Sequence, residues 1–286
     1  MPRSPQTDRD HAAPGEPDRP LSRILRSAPG RLLLLPLLLF AVWVAETFFF
    51  QGRQQIILHP EPSGLLFYTL MACIFVGIVL PVVLIRQAFI RGDVNMHQLG
   101  FRPLKRTLLM VTLTVLVIWL AVVLQNPFGP DRMALLSAFL LLLPTGIASA
   151  MVCYVLIGTH VQALVRERGV LVAILAGSLI SGLLFALTLP AHMPGAATIE
   201  TAVRFISAGI LVALFFFAVR DVWAVSIVVT AGLVWLIAGW LDPAEIARQA
   251  AVCAAAALLS AGTLAAIQWY LSRHYVTIPA PAAIPR

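Results

Sequence analysis

The chain has 286 residues, 60% of them hydrophobic and 12% charged, and carries a net charge of +7. Soluble domains carry about 25% charged residues, so a polar shell cannot enclose this composition and lipid must serve as solvent for much of it. The basic residues sit in short connections between apolar runs, a pattern that answers to membrane topology and anionic lipid and excludes nucleic acid as a partner.

Residues 1–30 begin MPRSPQTDRDHAAPGEPDRP, rich in Pro and charge and without apolar periodicity, and read as a disordered segment. They are too long and too acidic for the charged start of a signal peptide. The apolar run that follows is too long for a signal core, so it reads as a retained span. A membrane-spanning helix needs about 20 mostly apolar residues. Eight runs qualify: Leu32–Phe50, Gly64–Ile85, Thr107–Leu124, Met133–Gly158, Val170–Leu189, Thr201–Val219, Trp223–Trp240 and Gln249–Leu271. The fourth is long, contains Pro144 as a source of a kink, and is expected to run on to about Arg168. The sixth and seventh are joined only by Arg220–Asp221 and form a tight hairpin. The fold class is therefore all-α, a polytopic integral membrane protein of about eight transmembrane helices. Residues 31–272 form the helical domain, and 273–286 a short Pro-rich tail.

All of the 20 Lys and Arg residues except Arg53, Arg132, Arg204 and Arg248 fall on one side of this plan. That asymmetry predicts cytoplasmic N- and C-termini in a plasma (bacterial inner) membrane. Phe48–Phe50 and Trp240 would then mark the outer interface, and Trp223, Trp269 and Tyr270 the inner one. The rows Gly177/Ser181 and Ser178/Gly182 and the Ala-rich run 250–257 predict close helix contacts. Cys73, Cys153 and Cys253 all lie in apolar runs and read as small buried hydrophobes.

Ionisable residues inside spans are costly and mark candidate sites. Glu46 lies near the outer end of the first span and reads as an interfacial carboxylate. Glu200 and Arg204 stand one turn apart and read as an i,i+4 pair. His160 and Glu167 lie near the inner end of the fourth run, where His160 reads as a solvated helix end. His192 follows Pro190 just past the fifth span. No HExxH, Walker, GxSxG or strand-borne GxGxxG motif occurs. No metal ligand set and no cofactor is predicted.

The order of local patterns carries a resemblance. QLGFRPLKR (98–106) precedes the third span, the fourth ends in GTHVQALVRERG, the fifth reads AILAGSLISGLLFALTL, and the sixth and seventh read ISAGILVALFFFAVRDVWAVSIVVTAG. Over roughly residues 95–240 this resembles the CPBP family, the CAAX-type prenyl-protein proteases and bacteriocin-processing proteins. The resemblance implies an intramembrane metalloprotease scaffold with three motifs: E-E-x-x-x-R on the fourth helix, F-x-x-x-H on the next, and H-x-x-x-N/D after a Trp-Ala step. Matched on Gly158, the first falls on Val152 and Cys153 at the glutamates and Ile157 at the arginine. Matched on Phe185, the second places Leu189 at the histidine. Matched on Trp223–Ala224, the third falls on Val229 and Leu233. Each position that would carry chemistry is apolar or Cys. No Glu, Asp or His lies in 147–159 or 222–241 to take its place. His192 lies about 300° around and 4.5 Å along an unbroken helix from Leu189, and one His does not hold a catalytic zinc.

The expected function is that of a multi-pass membrane protein with a lost active site and a binding or scaffolding role. Its expected partners are membrane lipids, another membrane protein or a prenylated peptide. The alternatives are an active CPBP-type endopeptidase, with Cys153 and His160 the nearest Cys/His pair in sequence, and a transporter of a neutral or lipid-like solute.

Overall fold

The computed structural model describes residues 28–94, 98–125, 132–192 and 198–275. The N-terminal segment read as disordered lies outside them up to residue 27, and so does the tail beyond Tyr275. Among the described residues the chain is helical, without strands, and eight helices are long and apolar enough to cross a membrane. Helix α1 runs Ala28–Thr47 and continues with π-type bonding over Phe48–Arg53. α2 is the continuous rod of Pro62–Tyr68, Thr69–Val79 and Leu80–Ile90. α3 spans Leu104–Gln125. α4 joins Arg132–Ser149, the π-type stretch Ala150–Gly158 and Thr159–Leu164. α5 is Val170–Leu187 with a last turn at Leu189–His192. α6 is Ile199–Val219 and α7 is Val222–Ile237. The short α8, Pro243–Arg248, leads into α9, Ala250–Tyr275.

Successive spans alternate in direction. The bundle therefore has a near end, where α1 starts and the α6–α7 turn lies, and a far end that carries Gln51, Arg132 and His192.

α4 is the axis. Its spanning window is 89% buried, against 11% for α3. α4 is apolar all round, which suits a helix enclosed by others, and its Ala, Gly, Ser and Thr let neighbours approach. Pro144 is accommodated inside the helix and fully enclosed. A Cβ at Gly146 would lie 2.0 Å from the Thr230 hydroxyl on α7, and one at Gly77 of α2 would lie 2.4 Å from the Cβ of Ala148. The predicted small-residue rows behave the same way. A Cβ at Gly182 of α5 would lie 2.6 Å from the backbone nitrogen of Ile210 on α6, and one at Gly209 would lie 2.8 Å from the Gly182 carbonyl. Such contacts let van der Waals packing hold helices together where lipid competes for every apolar surface. Large side chains turn outward instead: Leu116, Leu187, Leu211 and Leu258 are each more than 60% exposed in the isolated chain. Only hydrocarbon can take them, so the architecture is that of a multi-pass membrane protein.

Candidate functional site

The residues matched to the family motifs are all buried: Val152, Cys153, Ile157, Leu189, Val229 and Leu233. Val152, Cys153 and Ile157 lie on the π-type stretch of α4, which packs against α5 and α7. Nearby, the Tyr154 ring lies 5.9 Å from that of Phe185, which stacks at 5.6 Å on Phe205. Leu233 lies elsewhere, on the wall of a small cavity at the far end.

That cavity has a volume of about 20 Å³ and is lined by Gln51, Leu142, Thr145, His192, Leu233 and their neighbours. It sits beside a chain of side-chain hydrogen bonds that joins four helices. Gln51 of α1 donates from Nε2 to the Tyr68 hydroxyl of α2 at 2.5 Å and to the Thr145 hydroxyl of α4 at 3.0 Å. The two hydroxyls share a bond of 3.0 Å. With the amide so placed, Gln51 Oε1 accepts from His192 Nδ1 at 2.5 Å, which leaves Nε2 as the unprotonated nitrogen. His192 Nε2 is buried and has no hydrogen-bond partner among the described residues. The Trp43 ring meets the imidazole edge-on at 6.2 Å. Volume and lining together suit one bound water.

His192 is thus more than a helix-end residue at an interface. The turn at Leu189–His192 carries it inward, past Pro190, onto α1. The sequence reading missed Gln51, Tyr68 and Thr145, because it searched the spans for ionisable groups alone. Uncharged donors and acceptors inside a span face the same demand for partners, and FFFQG and LLPTG announced two of them.

His160 also differs from the expectation. It is buried, and its Nδ1 lies 2.7 Å from the Leu156 carbonyl one turn back on α4. Cys153 is buried too, so this pair presents no reactive face. Glu46 is half-buried, with Oε2 enclosed and unbonded among the described residues. Glu200 and Arg204 form the expected exposed ion pair, at 2.5 Å. All three cysteines are buried and free.

The near end holds a second polar cluster, and it gathers the landmarks that carried the family resemblance. Arg220 takes a left-handed backbone (φ 53°) to turn α6 into α7. Its guanidinium donates to the Gln98 carbonyl at 2.7 Å and to Gln162 Oε1 at 2.6 Å, and lies 4.6 Å above the Phe217 ring. Arg102 Nε donates to the Arg220 carbonyl at 3.0 Å, and Val222 N to the Gly100 carbonyl at 3.1 Å. Gln268 of α9 donates to the Arg102 carbonyl at 2.7 Å and accepts from the Trp223 indole. Burial and the neighbouring Arg102 charge push Arg220 down to about 10. Burial raises Asp221 from its ordinary value, against hydrogen bonds from Ala224 and Thr107 that lower it. Asp221 also caps α7, accepting from Ala224 N at 3.0 Å. The cluster pins five segments together and leaves no open acid–base pair.

Among the described residues no group of three or more His, Cys, Asp and Glu side chains is placed to hold a metal ion. No family model matches the chain, nor does any curated protein or solved structure.

Proposed function

We propose that the protein is a binding or scaffolding protein of the plasma membrane, with both termini cytoplasmic, on a CPBP-like helical scaffold without that family's hydrolytic chemistry. One observation carries the reading: at the cavity beside His192, the motif-matched position is Leu233, an apolar wall. A hydrolytic centre there would need an acid or base and further ligands beside the imidazole. The cavity supplies an amide, a hydroxyl and one histidine. A volume of about 20 Å³ also gives a solute no passage, which favours binding over transport. The partners that suit this surface are membrane lipids or other membrane helices.

Metal analysis of the purified full chain, with a cleavage assay on prenylated and unprenylated peptides, tests the proposal. The expected result is zinc far below one equivalent and no cleavage above the His192→Ala variant. One equivalent of zinc, with cleavage abolished by a chelator, overturns it.

A further inference from the structure

A groove of about 250 Å³ runs between α3, α4 and α7 in the far half of the bundle and opens to the lipid side. It exists because α3 is held at one end. Near its start, Thr107 and the Arg102 carbonyl are bonded to Gln268, and Arg106 reaches the Val219 carbonyl. The rest of α3 leans on α7 alone among its close neighbours. A gap lies between it and α4, lined by Trp119, Leu136, Phe139, Ala231 and Trp235.

Arg132, the first residue of α4, lines the same groove. It is exposed and makes no ion pair with any described residue. An apolar slot ending in an exposed guanidinium has the chemistry to take an amphiphile with an anionic head. The planar guanidinium matches phosphate geometry with two parallel donors. Trp119 and Trp235 are half-exposed indoles, the side chains that favour the boundary between hydrocarbon and headgroup. The groove is also separate from the polar cavity. α4 and α7 stand between them, with Leu142 and Leu233 facing the cavity and Phe139 and Trp235 the groove.

We propose that this groove binds one phospholipid of net negative headgroup, an acyl chain lying against Trp119, Phe139 and Trp235 and the phosphate held by Arg132. Native mass spectrometry of the detergent-purified full chain tests it, titrating phosphatidylglycerol and phosphatidylcholine of the same acyl chains. The expected result is one tight adduct, with the anionic lipid favoured by about fivefold. Arg132→Gln should bring the two lipids level, Arg132→Lys should keep part of the preference, and Ala231→Phe should weaken both. Arg204→Gln, at a far-end cation already paired with Glu200, should change nothing. Equal binding of the two lipids by the native chain overturns the proposal. So does a preference that survives Arg132→Gln in a variant with native thermal stability. Disulfide capture of a second copy through Ala231→Cys would overturn it too, by placing another chain in the groove. None of these results depends on zinc content or peptide cleavage, so this site and the non-hydrolytic reading stand or fall separately.

Discussion

Gln51 satisfies three partners at once, and its removal should be felt by all of them. Gln51→Leu strands the His192 Nδ1 proton, at a cost of about 1–3 kcal/mol for a buried group left unpaired, and takes one of two bonds from each of the Tyr68 and Thr145 hydroxyls. The unfolding midpoint in detergent should fall well below that of a substitution on the lipid face, such as Leu211→Ala. An unchanged midpoint would mean the network contributes nothing. Asp221 makes a second case. Asp221→Ala removes the cap of α7 and should cost about 1 kcal/mol, while Asp221→Asn keeps the accepting oxygen and should cost less. The pH dependence has a definite sign. The folded protein holds the Asp221 proton more tightly than the unfolded chain does, because burial raises its pKa. Its contribution to stability is therefore present at low pH and is lost as pH rises from the ordinary Asp range, about 4, through the raised value. Thermal melts across this window should show a flatter profile for Asp221→Asn.

Among the elements, the close pairs α4–α7 and α5–α6 depend on missing side chains. Gly146→Ala drives a methyl into Thr230, and Gly182→Ala drives one into the Ile210 backbone. The Ile210 backbone cannot swing aside, and at Gly146 the Thr230 Cβ and Cα stand at 3.0 and 3.1 Å behind the hydroxyl, so each should cost about 1–3 kcal/mol through overpacking. Gly232 is the internal control, a helical glycine on α7 with nothing within 4 Å of the built Cβ. Gly232→Ala should be neutral or slightly stabilising, since Ala favours the helix by about 1 kcal/mol. Equal losses at all three positions would show that close approach does not set the cost. The rows around Gly182 were legible as short spacings of small residues. Gly146 was not, because its partner Thr230 lies 84 positions away and no local pattern names it.

For the whole molecule, the bias of Lys and Arg predicts which faces meet the cytoplasm. Ser63 and Arg166 are exposed at opposite ends of the bundle, and the native cysteines are all buried, so background labelling should be low. In intact cells an impermeant thiol reagent should label Ser63→Cys and leave Arg166→Cys untouched until the membrane is opened. The reverse pattern would invert the orientation and move the His192 cavity and the Arg132 groove to the cytoplasmic half.

The eight spans and their all-helical character follow from the run of residues alone, because hydrocarbon forces every backbone N–H and C=O to be satisfied within its own helix. The helix-end pair Glu200–Arg204 and the tight turn at Arg220–Asp221 were legible for the same reason, since their partners are near in sequence. Which helix occupies the centre, and which side chains meet across it, depends on contacts between distant segments. Hydropathy ranks α3 and α4 alike as spans, yet one is almost wholly exposed to lipid and the other enclosed. His192 shows the difference at its sharpest. Its neighbours in sequence make it a residue beyond a proline at a helix end, whereas packing places it 141 residues away from its partner Gln51 and only 2.5 Å from it in space.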